Sequence, residues 1–111
     1  RMAMAHFLDG KVSAVIGSHQ QVPTADSQIL DKGTAYQTDA GMCGDYNSVI
    51  GMQKEVPINR FLGKISKDRF KPASGNVTIC GVVIETNNLT GLAKTITPLR
   101  FGGKLIEEWP S

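Results

Sequence analysis

The sequence predicts a single α/β domain, residues 1–111, with a mixed sheet that ends in an antiparallel meander. Near the N-terminus, a helical segment (1–9) is followed by a short run of apolar and β-branched residues (12–16). The C-terminal part instead holds three strand-like segments separated by short turns, at 69–72, 76–86 and 93–101. A helix–strand rhythm followed by consecutive strands is typical of this class.

The composition indicates which broad class of protein this chain belongs to. The chain has 111 residues, of which 41% are hydrophobic and 20% charged, as expected of a soluble globular domain rather than a disordered chain. A formal net charge of +2 is too small to indicate a nucleic-acid or membrane partner. No apolar stretch approaches the roughly 18 residues of a membrane span. The first residue is Arg1 rather than Met, so we expect a fragment or a processed product.

Both predicted helices carry an apolar face. In the first, Met4, Phe7 and Leu8 share one face, and Gly10 is placed to end the helix. The second spans residues 54–64, with Pro57 in its first turn, where proline is tolerated. Its side chains expected to face inward are those of Ile58, Phe61, Leu62 and Ile65.

His19 is the first candidate for a functional residue. The apolar run 12–16 predicts a strand buried on both faces, Gly17 ends it, and a polar loop follows over 18–27. Sites in α/β folds lie at the carboxyl ends of strands, which is where His19 stands. On the sequence alone, a metal or catalytic role remains open beside that of an ordinary hydrogen-bonded loop histidine.

A second loop carries two aspartates. Residues 34–38 predict a strand, and the glycine-bearing loop 39–45 follows it. Asp39 and Asp45 could orient metal ligands through hydrogen bonds, or they could be turn-forming and helix-capping residues.

The cysteines indicate the cellular compartment, and a basic cluster bears on the class of partner. Cys43 and Cys80 are predicted to be buried, reduced thiols of a cytoplasmic protein, with a disulfide or a redox role as the alternative. A local basic cluster is interrupted by Asp68 and predicts a solvated face rather than a nucleic-acid surface. Its members are Lys64, Lys67, Arg69 and Lys71.

A longer stretch, GSHQQVPTADSQILDKGTAYQTDAGMCGDYNSVIGM, carries a family resemblance. It resembles the C-terminal region of the YmdB-type metallophosphoesterases, a branch of the calcineurin-like phosphoesterase superfamily. The family's loop reads G-T-H-T-H-V-x-T-A-D, followed by KGTAY-x-TD-x-GM and YDSVIGM-x-K-E. The match continues through GVVIETNNLTGLAKTI and covers nearly the whole chain.

The resemblance implies a fold and an activity. We expect the C-terminal part of a four-layered α/β/β/α sandwich, two divalent metal ions (iron, manganese or zinc), and hydrolysis of phosphodiesters such as 2′,3′-cyclic nucleotides. It implies that His19 is a metal ligand and that Gln21 occupies the position of the family's second histidine. In an extended segment, these two positions would project to the same side.

The same resemblance predicts an incomplete centre. Gln21 offers only a neutral amide oxygen, a poorer ligand than imidazole for these metals. The family's other ligands have no counterpart in these residues, so we expect the isolated chain to be inactive. The alternative is a non-catalytic truncated paralogue acting as an interaction or nucleotide-binding module. Unpaired sheet edges would favour association, so we also expect a homo-oligomer.

Overall fold

Two short helices and two small sheets make up the described part of the protein. The computed structural model describes residues 1–65 and 68–110, so Lys67 of the basic cluster lies outside the described residues. In chain order, the elements are α1 (Met2–Leu8), β1 (Ala14–Ile16), β2 (Gln28–Ile29), β3 (Ala35–Gln37), α2 (Glu55–Phe61), β4 (Ile79–Thr86) and β5 (Ala93–Phe101).

The first sheet is mixed, as predicted. Its strand order is β1-β3-β2, with β3 in the centre. β1 runs parallel to β3, with Val15 opposite Tyr36, and β2 runs antiparallel to β3. The sequence did not predict β2, because two residues are too few to show a strand periodicity. The α/β class with a mixed sheet is thus confirmed.

The expectation that β1 is buried on both faces is wrong. Ala14 and Val15 are half-buried and Ile16 is exposed. The physical reason is position: β1 is an edge strand of the described sheet, whereas all three residues of β3 are buried between two neighbours. An apolar run therefore marked a strand correctly but did not show how much of it would be covered.

The core is small and lies between α1 and this sheet. It consists of Ala5, Leu30 and Tyr36, with Val15 packed against them. The face of α1 that the sequence pattern singled out remains largely in solvent, since Met4 and Phe7 are exposed. Ala5 packs instead, and its small side chain brings the helix backbone close to the sheet. The Tyr36 hydroxyl satisfies its polar end by bonding to Thr38 Oγ1 at 2.7 Å.

A network of hydrogen bonds joins the end of α1 to the turn before β3. The buried carboxylate of Asp9 accepts hydrogen bonds from the backbone N–H groups of Lys32 (2.9 Å) and Thr34 (3.2 Å). The Thr34 hydroxyl donates to the carbonyl of Val12 at 2.7 Å and accepts from Gly10 N at 2.8 Å. These contacts fix the sequence-distant start of β1 beside β3, and Gly10, at a φ of 84°, ends the helix as predicted.

The second helix turns its predicted inner face outward. Val56 is its buried residue, and Phe61 is 89% exposed. The prediction that four residues face inward is wrong for all of them: Ile58, Phe61, Leu62 and Ile65. Helical spacing shows which residues share a face, but not whether another element covers that face. Pro57 does lie in the first turn.

The second sheet is a hairpin rather than a three-stranded meander. β4 and β5 pair antiparallel from Ile79 opposite Phe101 onward. The predicted strand at 69–72 does not form in the described chain. Only an isolated bridge joins Pro72 to Met52, because proline has no N–H for a ladder.

The C-terminal tail is pinned to this hairpin. The rings of Phe101 and Trp109 lie 4.9 Å apart between centroids, and Arg100 pairs with Glu108 through both backbone and side chain. Together the elements form an elongated plate of 56 × 29 × 17 Å. Its radius of gyration of 17.3 Å exceeds the about 13 Å typical of a compact domain of this length.

Two further predictions concern the burial of the cysteines and the possibility of a membrane span. Both cysteines are free; Cys80 is buried as predicted, but Cys43 is exposed, so its predicted burial is wrong. Cys43 belongs to the loop between β3 and α2, and its thiol donates to the carbonyl of Cys80 at 3.3 Å without being enclosed. Over residues 1–65 and 68–110, neither helix is long and apolar enough to cross a bilayer.

Candidate functional site

The loop after β1 is tied directly to the end of β3. Gly17 N donates to the carbonyl of Gln37 at 3.0 Å, and Ala40 N donates to the carbonyl of Gly17 at 3.0 Å. A Cβ at position 17 would lie 1.9 Å from the carbonyl oxygen of Thr38, so no larger residue fits there. The loop that carries His19 is thereby held against the loop that carries Asp39.

His19 and Gln21 both have left-handed backbones, with φ of 120° and 63°. The segment is therefore not extended, and the expectation of simple i, i+2 strand geometry is wrong. Such conformations cost about 1–3 kcal/mol each and persist where the surroundings hold them. Both residues nevertheless line the same cleft, because positive φ at both positions turns the chain instead of extending it.

Asp39 supplies much of that support. Its side chain is 1% exposed, and its carboxylate accepts from the backbone N–H of Gln20 at 2.6 Å and of Gly41 at 2.8 Å. Gln20 stands between the two strained residues, so Asp39 fixes the loop at its centre. A carboxylate bonded to two N–H groups is well satisfied without a counter-ion.

A cleft of about 680 Å³ opens at this point. In the described part of the chain, three non-glycine residues have positive φ, and all three line the cleft: His19, Gln21 and Ile50. The remaining lining residues are Ser18, Asp39, Gly41 and Met42. Concentrated backbone strain around one cleft is a physical sign of a functional site.

Asp26 stabilises the loop 18–27 near its C-terminal end. Its carboxylate accepts from the Thr24 hydroxyl at 2.7 Å and from Thr38 N at 3.1 Å. Burial acts to raise the pKa of Asp26, but the hydrogen bonds from Thr38 and Thr24 outweigh it and lower that pKa below the ordinary value. Thr24 also accepts from Asp39 N at 3.0 Å, so the two aspartates share one network.

Asp45 lies outside the cleft. Its carboxylate accepts from the N–H of Asn47 at 2.8 Å and of Gly75 at 3.0 Å, which holds a turn against the segment before β4. Nearby, Tyr46 bonds through its hydroxyl to both Met42 N and Met42 O. Burial and the contact with Cys80 raise the pKa of Tyr46. The structure therefore brings His19, Gln21 and Asp39 together and separates Asp45 from them.

Ile50 is the cleft residue that sequence reasoning missed. Its only local signal was the glycine that follows it, because a hydrophobic residue in a VIG string reads as strand or core. The positive φ that brings it to the cleft appears only in the folded chain.

The residues present do not fit a dinuclear metal centre by themselves. Among the described residues, no group of three or more histidine, cysteine, aspartate or glutamate side chains could hold a metal ion. Of the described residues lining the cleft, His19 alone offers an imidazole, and both oxygens of Asp39 already accept backbone hydrogen bonds. A two-metal site needs several ligands per ion.

Comparisons with known proteins show which family this chain resembles. The sequence profile of the family described as YmdB-like protein matches residues 1–99. A Bacillus subtilis protein named 2′,3′-cyclic-nucleotide 2′-phosphodiesterase is 45% identical over 86% of this chain, but over only 36% of its own length. A Mycoplasma pneumoniae protein named putative phosphatase/phosphodiesterase is 40% identical over 71% of this chain and 28% of its own length. The chain thus spans about a third of these relatives.

Solved structures show the same fold. A hypothetical protein from Thermus thermophilus superimposes with a TM-score of 0.83 and 40% identity, over 93% of this chain and 40% of the other. A structure titled as a novel phosphatase from Mycoplasma pneumoniae gives a TM-score of 0.84 and 34% identity, over 98% of this chain and 37% of the other. The chain therefore shares the overall fold of a part of each of these longer proteins.

Proposed function

This chain belongs to the YmdB-like protein family, and from that membership we propose that it forms the C-terminal part of a metal-dependent phosphodiesterase. The proposed substrates are small phosphodiesters such as 2′,3′-cyclic nucleotides, following the name of the Bacillus subtilis relative. In this proposal, residues 1–111 belong to one domain and contribute a share of a four-layered α/β/β/α sandwich.

One observation carries the proposal: His19 and Gln21 are held in strained conformations at the mouth of a single cleft by the buried carboxylate of Asp39. Backbone strain of this kind clusters at active sites and ligand clamps, which supports a functional role for the cleft. His19 would offer one imidazole nitrogen to a metal ion, and Gln21 would offer an amide oxygen beside it. Asp39 would keep both in place without contacting the metal, in line with its two backbone contacts.

The proposed cofactors are two divalent ions of iron, manganese or zinc. When bound, such ions polarise a phosphate group and lower the pKa of a bound water. Because the residues described above do not complete a metal site, the missing ligands would have to come from residues beyond these 111. The isolated chain is therefore proposed to be inactive, and the protein that contains it to be active.

A second candidate function is supported by Gln21. An amide is a weak ligand for these metals, and the cleft contains one imidazole among its described lining residues. A chain of this kind could be a non-catalytic paralogue that binds a nucleotide or a protein partner. The free thiols Cys43 and Cys80 support a cytoplasmic location for either candidate, since disulfides are rare there.

A chimera separates the two functions. Residues 1–99 replace the matching segment of the Bacillus subtilis relative, and hydrolysis of a 2′,3′-cyclic nucleotide and bound metal are measured. We expect low activity with Gln21 and an increase of about 10- to 100-fold in the Gln21→His variant, the range seen when metal-site partners change.

The matched control is Gln20→His, which puts an imidazole on the neighbouring position whose N–H is held by Asp39. It should not raise activity. Equal hydrolysis by the Gln21 and Gln21→His chimeras would show that Gln21 does not impair the site. A folded chimera with neither metal nor activity in either form would support the non-catalytic function instead.

A further inference from the structure

Ile50 occupies an unfavourable place in a tight turn. Val49 N donates to Met52 O and Met52 N donates to Val49 O, both at 2.9 Å, so residues 50 and 51 form a two-residue hairpin loop. Ile50 has a φ of 45° and Gly51 a φ of 87°. Positive φ at both central positions is the requirement of a type I′ turn, which favours Asn-Gly.

A β-branched residue is among the worst choices for this first turn position. Its branched Cβ crowds the backbone in the left-handed region, where asparagine is tolerated. Burial does not offset this, because Ile50 is 59% exposed. The turn is fixed from outside as well, since Gly51 N donates to Ser48 Oγ at 2.8 Å. The fold therefore holds an apolar side chain at an exposed tip where a polar residue would be more stable.

The Ile50 side chain forms a wall shared by two cavities. On one side is the cleft with His19 and Gln21. On the other is a groove of about 370 Å³ whose lining is almost entirely apolar. Its lining residues are Val49, Ile50, Met52, Pro57, Arg60 and Phe70. A molecule with one polar and one apolar end could therefore occupy both cavities across Ile50.

The groove suits a flat ring. Phe70 is exposed, and the guanidinium of Arg60 lies over one face of its ring, 4.5 Å from the centroid, so the pair presents a guanidinium plane backed by an aromatic ring. Stacking on aromatic or guanidinium planes is how proteins hold unpaired nucleobases, with little dependence on base identity. The groove volume exceeds that of a single purine, and its apolar wall favours the ring over a sugar.

We propose that this groove is the nucleobase subsite of the cleft, with Ile50 as the residue that directs a planar base into it. The proposal rests on the proposed function, because it places the base of the same phosphodiester whose phosphate faces His19. It goes further by giving the site a preference for nucleotides over phosphodiesters that lack an aromatic ring. Selectivity among bases would be weak, because stacking supplies most of the contact.

Binding by the 111-residue chain tests the proposal. Adenosine 2′,3′-cyclic phosphate and the base-free methyl riboside 2,3-cyclic phosphate are titrated by NMR, with and without zinc chloride. We expect the nucleotide to bind at least about tenfold more tightly, the effect of about 1.4 kcal/mol of added contact. The Ile50→Asn variant should lose that preference, while its thermal midpoint stays level or rises because the turn strain is relieved.

A second variant, Phe70→Leu, removes the stacking ring without touching the turn and should also remove the preference. The control Leu89→Asn replaces an exposed apolar residue in another turn and should change neither affinity. Equal binding of both ligands by the parent chain would overturn the subsite while leaving the proposed function intact. Binding of neither ligand would overturn the subsite as a site formed by this chain, whereas the proposed function is decided separately by hydrolysis and metal binding in the chimera. Loss of both affinities together in Ile50→Asn would show that Ile50 acts on the phosphate cleft and not on the groove.

Discussion

The buried carboxylate of Asp39 accepts a hydrogen bond from the backbone N–H of Gln20 at 2.6 Å, and this contact joins the end of β3 to the loop that carries His19. The two residues are 19 positions apart in sequence. Their contact makes the geometry of the cleft depend on the strand pairing of the sheet, so disturbance at one should be measurable at the other.

Replacing Asp39 by alanine should destabilise the fold and free the loop. Two backbone N–H groups, those of Gln20 and Gly41, would lose a charged acceptor. We expect a loss of about 2–4 kcal/mol in the free energy of unfolding. Urea unfolding measures this, with the exposed Asp31→Asn as the control. A loss no greater than that of the control would show that the Asp39 contacts contribute nothing.

Position 17 should tolerate nothing larger than glycine. In Gly17→Ala the new methyl group would meet the Thr38 carbonyl at 1.9 Å, and a backbone oxygen cannot rotate away. We expect destabilisation of about 3 kcal/mol or more, or failure to fold. Gly81→Ala is the matched control, since a Cβ there meets no atom within 4 Å. Circular dichroism during heating compares the two, and equal melting temperatures would contradict the predicted clash.

Acid should weaken the Asp26 network. Hydrogen bonds from Thr38 and Thr24 hold the folded-state pKa of Asp26 below its ordinary 3.8. A lowered carboxyl pKa contributes stability that is present above the unfolded-state value and is lost as the pH falls through the folded-state pKa. The stability difference between the parent chain and Asp26→Asn should therefore shrink as the pH falls below 3.8. Urea unfolding over a series of pH values measures it, and a constant difference would refute the linkage.

The open edge of β1 should promote self-association. In the described sheet, β1 pairs with β3 on one side only, and Ile16 on it is exposed. We expect dimers or larger species in sedimentation velocity, reduced by Ile16→Lys because a charge on an edge strand opposes pairing. Leu89→Lys, at an exposed turn, should leave the association unchanged. A parent chain that sediments as a monomer at every concentration would rule out this edge as an interface.

The position of His19 just after a strand was predicted from the sequence. His19 follows an apolar run that does form β1, and the rule for strand ends placed it at a cleft, whereas Asp39 follows an alternating segment that forms β3 and was not predicted to share that cleft. The parallel pairing of β1 with β3 then brought them together. The strands themselves follow from local patterns, whereas their parallel pairing appears only in the folded chain.

The sequence did not predict which apolar faces would be buried against another element. Phe61, marked as inward-facing by helical spacing, and Ile16, marked as buried by a continuous apolar run, are both exposed, because a hydrophobic pattern does not specify what lies opposite. The positive φ of Ile50 was also hidden, since the turn type at residues 50 and 51 is set by the pairing of Val49 with Met52. An Asn-Gly pair would have predicted a type I′ turn, whereas an Ile-Gly pair does not.

The smallest dimension of the plate, 17 Å, has a consequence for how the backbone exchanges its protons with solvent. Packed sheets lie about 10 Å apart, so this thickness leaves most amides within one side-chain length of water. Slow deuterium uptake should therefore be confined to β3, which has a strand on either side. The hairpin and both helices should exchange through local opening long before the whole chain unfolds.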